Sequence, residues 1–141
     1  LAGVRKASAR AISSLIDFAD AFPQIDITSY HVRRDFAAAH PELVKDFLRA
    51  ILTVHRQVQD IKVLEDAIVS IAQLDRTRAR AAAEFYLARK IWDVNGGLTS
   101  QRVQFTLEFM IKAGALPASL QADQVADLSY LNAVLGEMGT R

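Results

Sequence analysis

Three histidines, a run of arginines, several carboxylate pairs and one hydroxyl-rich stretch are the side chains in this 141-residue chain that could do chemistry. His31, His40 and His55 offer no two imidazoles at the i, i+4 spacing that sets paired ligands on one helix face, so no metal site is expected. They read instead as a strand residue, a helix-start residue and a helix-surface residue. Glu65 with Asp66, and Asp123 with Asp127, are acid–base pairs by residue type alone. General acid–base work needs facing geometry and shifted pKa values, and solvated caps and helix faces account for these carboxylates. Arg76, Arg78 and Arg80, with Arg89 and Lys90 beyond, suggest an anion site. Arg76 and Arg78 fall at the start of an expected helix, however, where the dipole disfavours cations, so they read as surface charge interleaved with alanine. Tyr86 and Trp92 lie six apart and share no helical stripe; each reads as a core aromatic with a polar tip. The chain has no G-x-S-x-G, G-x-x-x-x-G-K-[ST] or G-x-G-x-x-G pattern. No catalytic residue, metal or cofactor is therefore assigned. Thr28, Ser29 and Tyr30 remain, placing three hydroxyls in an otherwise apolar segment that leaves a proline turn. Ordinary β-propensity explains Thr and Tyr there equally well, but the segment could also line a cleft, and these three are the candidate ligand-binding residues.

The elements that must position these residues follow from composition and periodicity. Seventeen Lys plus Arg balance sixteen Asp plus Glu, a net charge of +1, which argues against a nucleic-acid or membrane surface held by bulk electrostatics. Without cysteine there is no disulfide framework, zinc ribbon, thiol nucleophile or iron–sulfur site. No stretch has the roughly 18 uncharged apolar residues of a membrane span, the first residues lack a signal peptide's apolar centre, and the chain reads as soluble as given. It starts at Leu1 rather than Met, so a longer parent protein is expected.

Ala9 to Phe18 lacks a clean period and fits either a short strand or a helix end. Pro23 closes a turn, and Ile25 to Val32 alternates as a strand. From Asp35 the pattern is helical. Asp35 is the expected cap of a short helix to Ala39, and Pro41 is placed at the first position of a long helix to about Gln59. Leu43, Val44, Phe47, Leu48, Ile51, Leu52 and Val58 are its expected inward residues, with Arg49 and Arg56 left to solvent. A shorter helix carrying Leu64, Ala67, Ile68 and Ile71 stops near Leu74. Asp75 caps the next, from Arg76 to about Trp92, with Ala79, Ala82, Ala83, Tyr86 and Ile91 inward. Asp93 to Gly97 is a loop. Thr99 caps a helix with Val103, Leu107, Met110 and Ile111 buried, and Gly114 ends it in the left-handed conformation. Pro117 to Ala126 connects to a last helix, capped by Asp127 and closed by Gly139.

From Ile25 to Gly139 the chain resembles the C-terminal half of a substrate-binding protein of an ABC importer, in the class of nitrate, sulfonate and taurine binders and thiamine-pyrimidine-precursor binders. The features that carry the resemblance are ordered segments spanning roughly four-fifths of the chain. They are the strand from Asp26 to Val32, Arg34-Asp35-Phe36, the helix from His40 through Pro41 to Ala50, and the loop Ile91 to Leu98. Phe109 to Leu116 and Asp127 to Asn132 complete the series. The resemblance implies a mostly α chain with one or two strands, a fragment of the α/β two-lobed periplasmic-binding-protein fold of type II. In that layout residues 1–24 end the second lobe, 25–33 are the interlobe crossover strand, and 34–141 form the helical part of the first lobe. It further implies a periplasmic or extracytoplasmic protein that captures a small anionic or heteroaromatic solute and delivers it to ABC permease subunits. The alternatives are a small α-rich interaction module, an isolated fragment being expected to homo-oligomerise, and a thiamine-precursor biosynthesis enzyme. That enzyme branch carries a cysteine-rich motif, which this chain lacks.

Overall fold

A computed structural model of the protein describes residues 18–26 and 28–141. Its regular elements are all helices: α1 (Phe18–Ala21), α2 (Arg34–Ala39), α3 (Pro41–Gln57), α4 (Ile61–Ala72), α5 (Arg76–Ala88), α6 (Ser100–Lys112), α7 (Ala122–Val125) and α8 (Ser129–Met138). The mostly α expectation holds. The crossover strand does not: among the described residues none is in a strand, and Thr28 to Arg33 run as an irregular connection into α2. Alternation gives a segment a tendency to extend, but a strand exists only with a partner to share its backbone hydrogen bonds. Here the Asp26 N–H is met by a side chain, donating to Thr106 Oγ1 of α6 at 2.9 Å. The reading of Ala9 to Phe18, and all of the 1–24 segment before Phe18, lie outside the described residues.

Local cap chemistry sets most helix boundaries. Pro41 occupies the first turn of α3, where its missing N–H is no loss. Asp60 accepts from the Lys62 and Val63 N–H groups to start α4, which ends at left-handed Gln73, φ 51°. Asp75 accepts from the Arg78 N–H at 3.0 Å and Thr99 from the Arg102 N–H at 3.2 Å. Gly114, with φ 74°, closes the turn after α6. Asp127 receives the Ser129 N–H at the head of α8. Asp35 proves to lie inside the first turn of α2, whose N-cap is Arg33. In α5 the helix stops at Ala88, four residues before Trp92, because the chain reverses through Lys90 at φ 49°. Ile91, expected inside, is consequently 46% exposed.

Packing falls into two main pairs. α3 lies against α8, and Leu52, Leu131 and Val134 make the central cluster, with Leu48, Leu98, Leu135 and Met138 around it. α4 lies against α5, where Leu64 and the completely buried Ala79 and Ala83 let the two backbones approach. Smaller contacts join α2 to α3 and α7 to α6. Two residues expected in the core of α3, Leu43 and Phe47, are instead 57% and 45% exposed.

Candidate functional site

Thr28, Ser29 and Tyr30 follow one another along the connection into α2, and all three are exposed. Ser29 Oγ and His31 Nε2 are hydrogen-bonded at 3.0 Å. The Tyr30 ring stands edge-on to Phe47 of α3, with centroids 5.2 Å apart and planes at 80°. The three hydroxyls do not converge on an enclosed cavity. Next to them His31, Val32, Arg33, Asp35, Phe36 and Ala39 line a depression that is open to solvent. The guanidinium of Arg33 pairs with Asp35 at its rim. That hydrogen bond, followed by one from the Phe36 N–H, holds the Asp35 carboxyl below its ordinary value. By itself this surface gives a ligand one wall, where small-molecule sites bury about 70 to 90% of the ligand.

The other candidates take structural roles. Arg76 bonds Glu65 at 3.1 Å and Asp66 at 2.9 Å, and Arg80 lies 3.6 Å from Glu65 and 2.9 Å from Glu84. Arg76 and Arg80 thus face the Glu65-Asp66 pair across an ionic seam between α4 and α5, while Arg78 pairs with Asp75 at the head of its own helix at 3.2 Å and Arg89 lies 3.6 Å from Asp20. Tyr86 and Trp92 meet after all, edge to face at 5.4 Å, because the reversal after Ala88 brings the Ile91 N–H within 3.3 Å of the Tyr86 carbonyl. Six residues of straight helix would have kept them apart. His40 packs against the Phe36 ring at 4.7 Å, and the Asp93 carbonyl accepts from His55 Nδ1 at 3.0 Å. Among the described residues no three His, Cys, Asp or Glu side chains are grouped to hold a metal ion, and no helix is long and apolar enough to cross a membrane.

Periodicity assigned Arg56 to solvent, yet it is the hub of a polar junction that joins three segments of the chain. Its guanidinium donates to the carbonyls of Val94 at 3.0 Å, Met138 at 3.3 Å and Gly139 at 2.5 Å. Gln59 donates to the Trp92 carbonyl at 2.9 Å, and the Asn95 side chain exchanges two hydrogen bonds with the backbone of Arg141. Gly96, at φ 89°, lies so close to the core that a Cβ there would meet Leu131 Cδ1 at 3.2 Å. The Trp92 to Gly97 loop is therefore a clasp that fixes the end of α3 to the end of α8. No sequence signal marks an arginine for this task; its partners are carbonyls brought together only by folding.

A second polar junction seats the connection after α1. Arg102 of α6 donates to the Pro23 carbonyl at 3.0 Å and the Gly97 carbonyl at 3.3 Å, and lies 3.6 Å from Asp26. Burial pushes the Asp26 carboxyl above its ordinary value, the Arg102 charge offsets this in part, and Oδ2 has no hydrogen-bond partner. Phe22 closes the same corner against Phe109 at 5.0 Å. No family model matches the chain, and neither a curated protein nor a solved structure matches it.

Proposed function

We propose that this chain is part of an extracytoplasmic solute-binding protein that delivers a small anionic or heteroaromatic solute to an ABC permease. The observation that carries the reading is the order of segments from Pro41 to Asn132 and where they fall. Pro41 opens α3, Trp92 to Gly97 forms the clasp, Gly114 ends α6 and Asp127 caps α8. On this reading Thr28, Ser29 and Tyr30 occupy the passage between lobes, exposed on one side where an upstream lobe closes over them. The parent protein works by closure: a solute that binds the closed form more tightly than the open one shifts the population, and the permease reads the closed surface. No bond is broken.

The test is a thermal-shift screen of nitrate, taurine, alkylsulfonates and aminopyrimidines on the natural gene product carrying this sequence. A ligand at 100 times its Kd adds about 2.7 kcal/mol of stability. A natural product that binds none of these solutes overturns the assignment. Where binding is found, alanine at Thr28, Ser29 and Tyr30 should weaken it; affinity within about twofold of wild type, roughly 0.4 kcal/mol, removes those residues from the site.

A further inference from the structure

The Trp92 to Gly97 clasp contains Asn95-Gly96, the one Asn-Gly step in the chain, whose only other asparagine is Asn132. The side-chain amide carbon of an asparagine lies within five-membered-ring reach of the next residue's backbone nitrogen, and a glycine there leaves that nitrogen without a Cβ to shield it. The fold demands this glycine. At φ 89° Gly96 is in the left-handed region, and a Cβ on it would meet Leu131 Cδ1 at 3.2 Å. The core contact that seats the clasp therefore also sets Asn95 beside an unshielded nitrogen. We propose that Asn95 is a deamidation site, held unreactive while the clasp is closed, and that its reaction unfastens the clasp permanently. The argument does not depend on the transport reading.

Both reacting groups are engaged in the closed clasp. Asn95 Nδ2 donates to the Arg141 backbone oxygen at 2.8 Å, and Asn95 Oδ1 accepts from the Arg141 N–H at 3.0 Å. The Gly96 N–H donates to the Asp93 carbonyl at 3.1 Å, and the Asn95 N–H donates to Asp93 Oδ1 at 2.7 Å. Ring closure needs the side chain turned away from Arg141 and the Gly96 nitrogen released from Asp93, so it proceeds through local opening of the loop. The Gly96 nitrogen then bonds to Asn95 Cγ, the Cγ–Nδ2 bond breaks, and the Gly96 proton leaves with the amide nitrogen as ammonia, giving a succinimide. Water opens this ring. Attack at Cγ gives aspartate, and attack at the main-chain carbonyl gives isoaspartate, whose main chain runs through the side-chain methylene; nothing is oxidised or reduced. Either product fits the clasp badly. An ionised carboxylate only accepts, so an oxygen faces the Arg141 oxygen where Nδ2 had donated. Isoaspartate also adds a methylene between Val94, whose carbonyl is held by Arg56, and Gly96, which is set against Leu131. Asn132 provides the internal comparison, because it lies within α8 and is followed by Ala133, whose Cβ shields the nitrogen.

Incubation of the 141-residue chain at mildly alkaline pH, folded and in concentrated urea, with peptide mapping by mass spectrometry at intervals, tests this. Aspartate and isoaspartate should accumulate at position 95 and not at 132, at least about tenfold more slowly in the folded chain than in urea. Asn95→Asp supplies the first product directly. Its urea midpoint should lie below that of the wild type at neutral pH, and the gap should narrow by about pH 3, where the protonated carboxyl can again donate to the Arg141 oxygen. Conversion as fast in the folded chain as in urea, conversion at Asn132 as fast as at Asn95, or an Asn95→Asp midpoint equal to that of the wild type at neutral pH overturns the inference.

Discussion

Replacing Arg56 by methionine keeps most of the side chain's length and apolar stem while removing all of its hydrogen bonds. Three carbonyls lose a donor: Val94 in the clasp, and Met138 and Gly139 at the end of α8. Hydrogen bonds from a charged donor contribute about 1.5 to 3 kcal/mol each when both groups are shielded. The sum is not reached here, because the Gly139 contact is exposed and a helix end readily takes water in place of a donor. The contacts to Val94 and Met138 are partly buried, and they carry the larger share. Loss of the positive charge beside the C-terminus of α8 adds a few tenths of a kcal/mol. The expected cost is about 2 to 3 kcal/mol, read by urea denaturation followed by circular dichroism. In a chain of this size that corresponds to a fall in Tm of about 6 to 12 °C. Arg56→Lys should recover less than half, since an ammonium is one point of donation where the guanidinium spans three acceptors. Amide hydrogen exchange localises the effect: the amides of Asn95 and Gly96 should lose protection before those of α4 and α5. If Arg56→Met lies within 0.5 kcal/mol of wild type, or lysine replaces arginine without loss, the clasp does not hold α3 to α8 as described.

Two further substitutions probe the same corner of the fold. Gly96→Ala combines a left-handed backbone with a Cβ at 3.2 Å from Leu131 Cδ1 and 3.5 Å from Leu52 Cδ2. It should cost about 2 to 3 kcal/mol in chemical denaturation, whereas Gly114→Ala, also left-handed but with nothing within 4 Å, should cost about 1; equal losses would show that the core does not press on Gly96. Asp26→Asn tests the raised carboxyl. A group whose pKa is higher in the folded protein supports folding below its unfolded value, near 3.8, and loses that support as pH rises through the folded value. Asparagine should therefore stabilise the protein at pH 7 and lose this advantage by about pH 3, measured by urea melts across that range; a variant less stable than wild type at pH 7 would show that the Arg102 attraction outweighs burial.

Features governed by neighbouring residues were legible before folding. Asp75, Thr99, Pro41, Gly114 and Gly139 punctuate helices through their own side chains or backbone freedom, and the structure uses each one so. The misread features are set by partners distant in sequence. Ile25 to Val32 alternates as a strand does, but among the described residues no strand is present to pair with it, and Thr28 to Arg33 stay irregular. Helix α3 is apolar at Leu43, Phe47 and Val54 as well as at Leu48 and Leu52, and a period of 3.6 cannot choose between two such faces. The choice was made by α8, whose Leu131 and Val134 meet Leu52. The Tyr86 and Trp92 contact was hidden for a related reason: it depends on a reversal at Lys90, a residue with no turn signature. Of the candidate site, the hydroxyls of Thr28, Ser29 and Tyr30 were visible as residue types. The openness of the surface around them was not, because it depends on what packs over the segment.

The two apolar faces of α3 contribute unequally to stability. The core behind Leu52 is small, and three of the residues most fully buried elsewhere are alanines, Ala37, Ala79 and Ala83, which give close contact but little apolar area. Directional bonds fill part of that deficit where they are shielded, as at Arg56, and contribute less where they are exposed, as at Arg76, since open ion pairs are worth at most about 1 kcal/mol. Leu43, Phe47 and Val54 are 57%, 45% and 50% exposed, so only one of the two apolar faces of α3 adds to the core, and the shielded hydrogen bonds of Arg56 carry a correspondingly larger share of the link between α3 and α8.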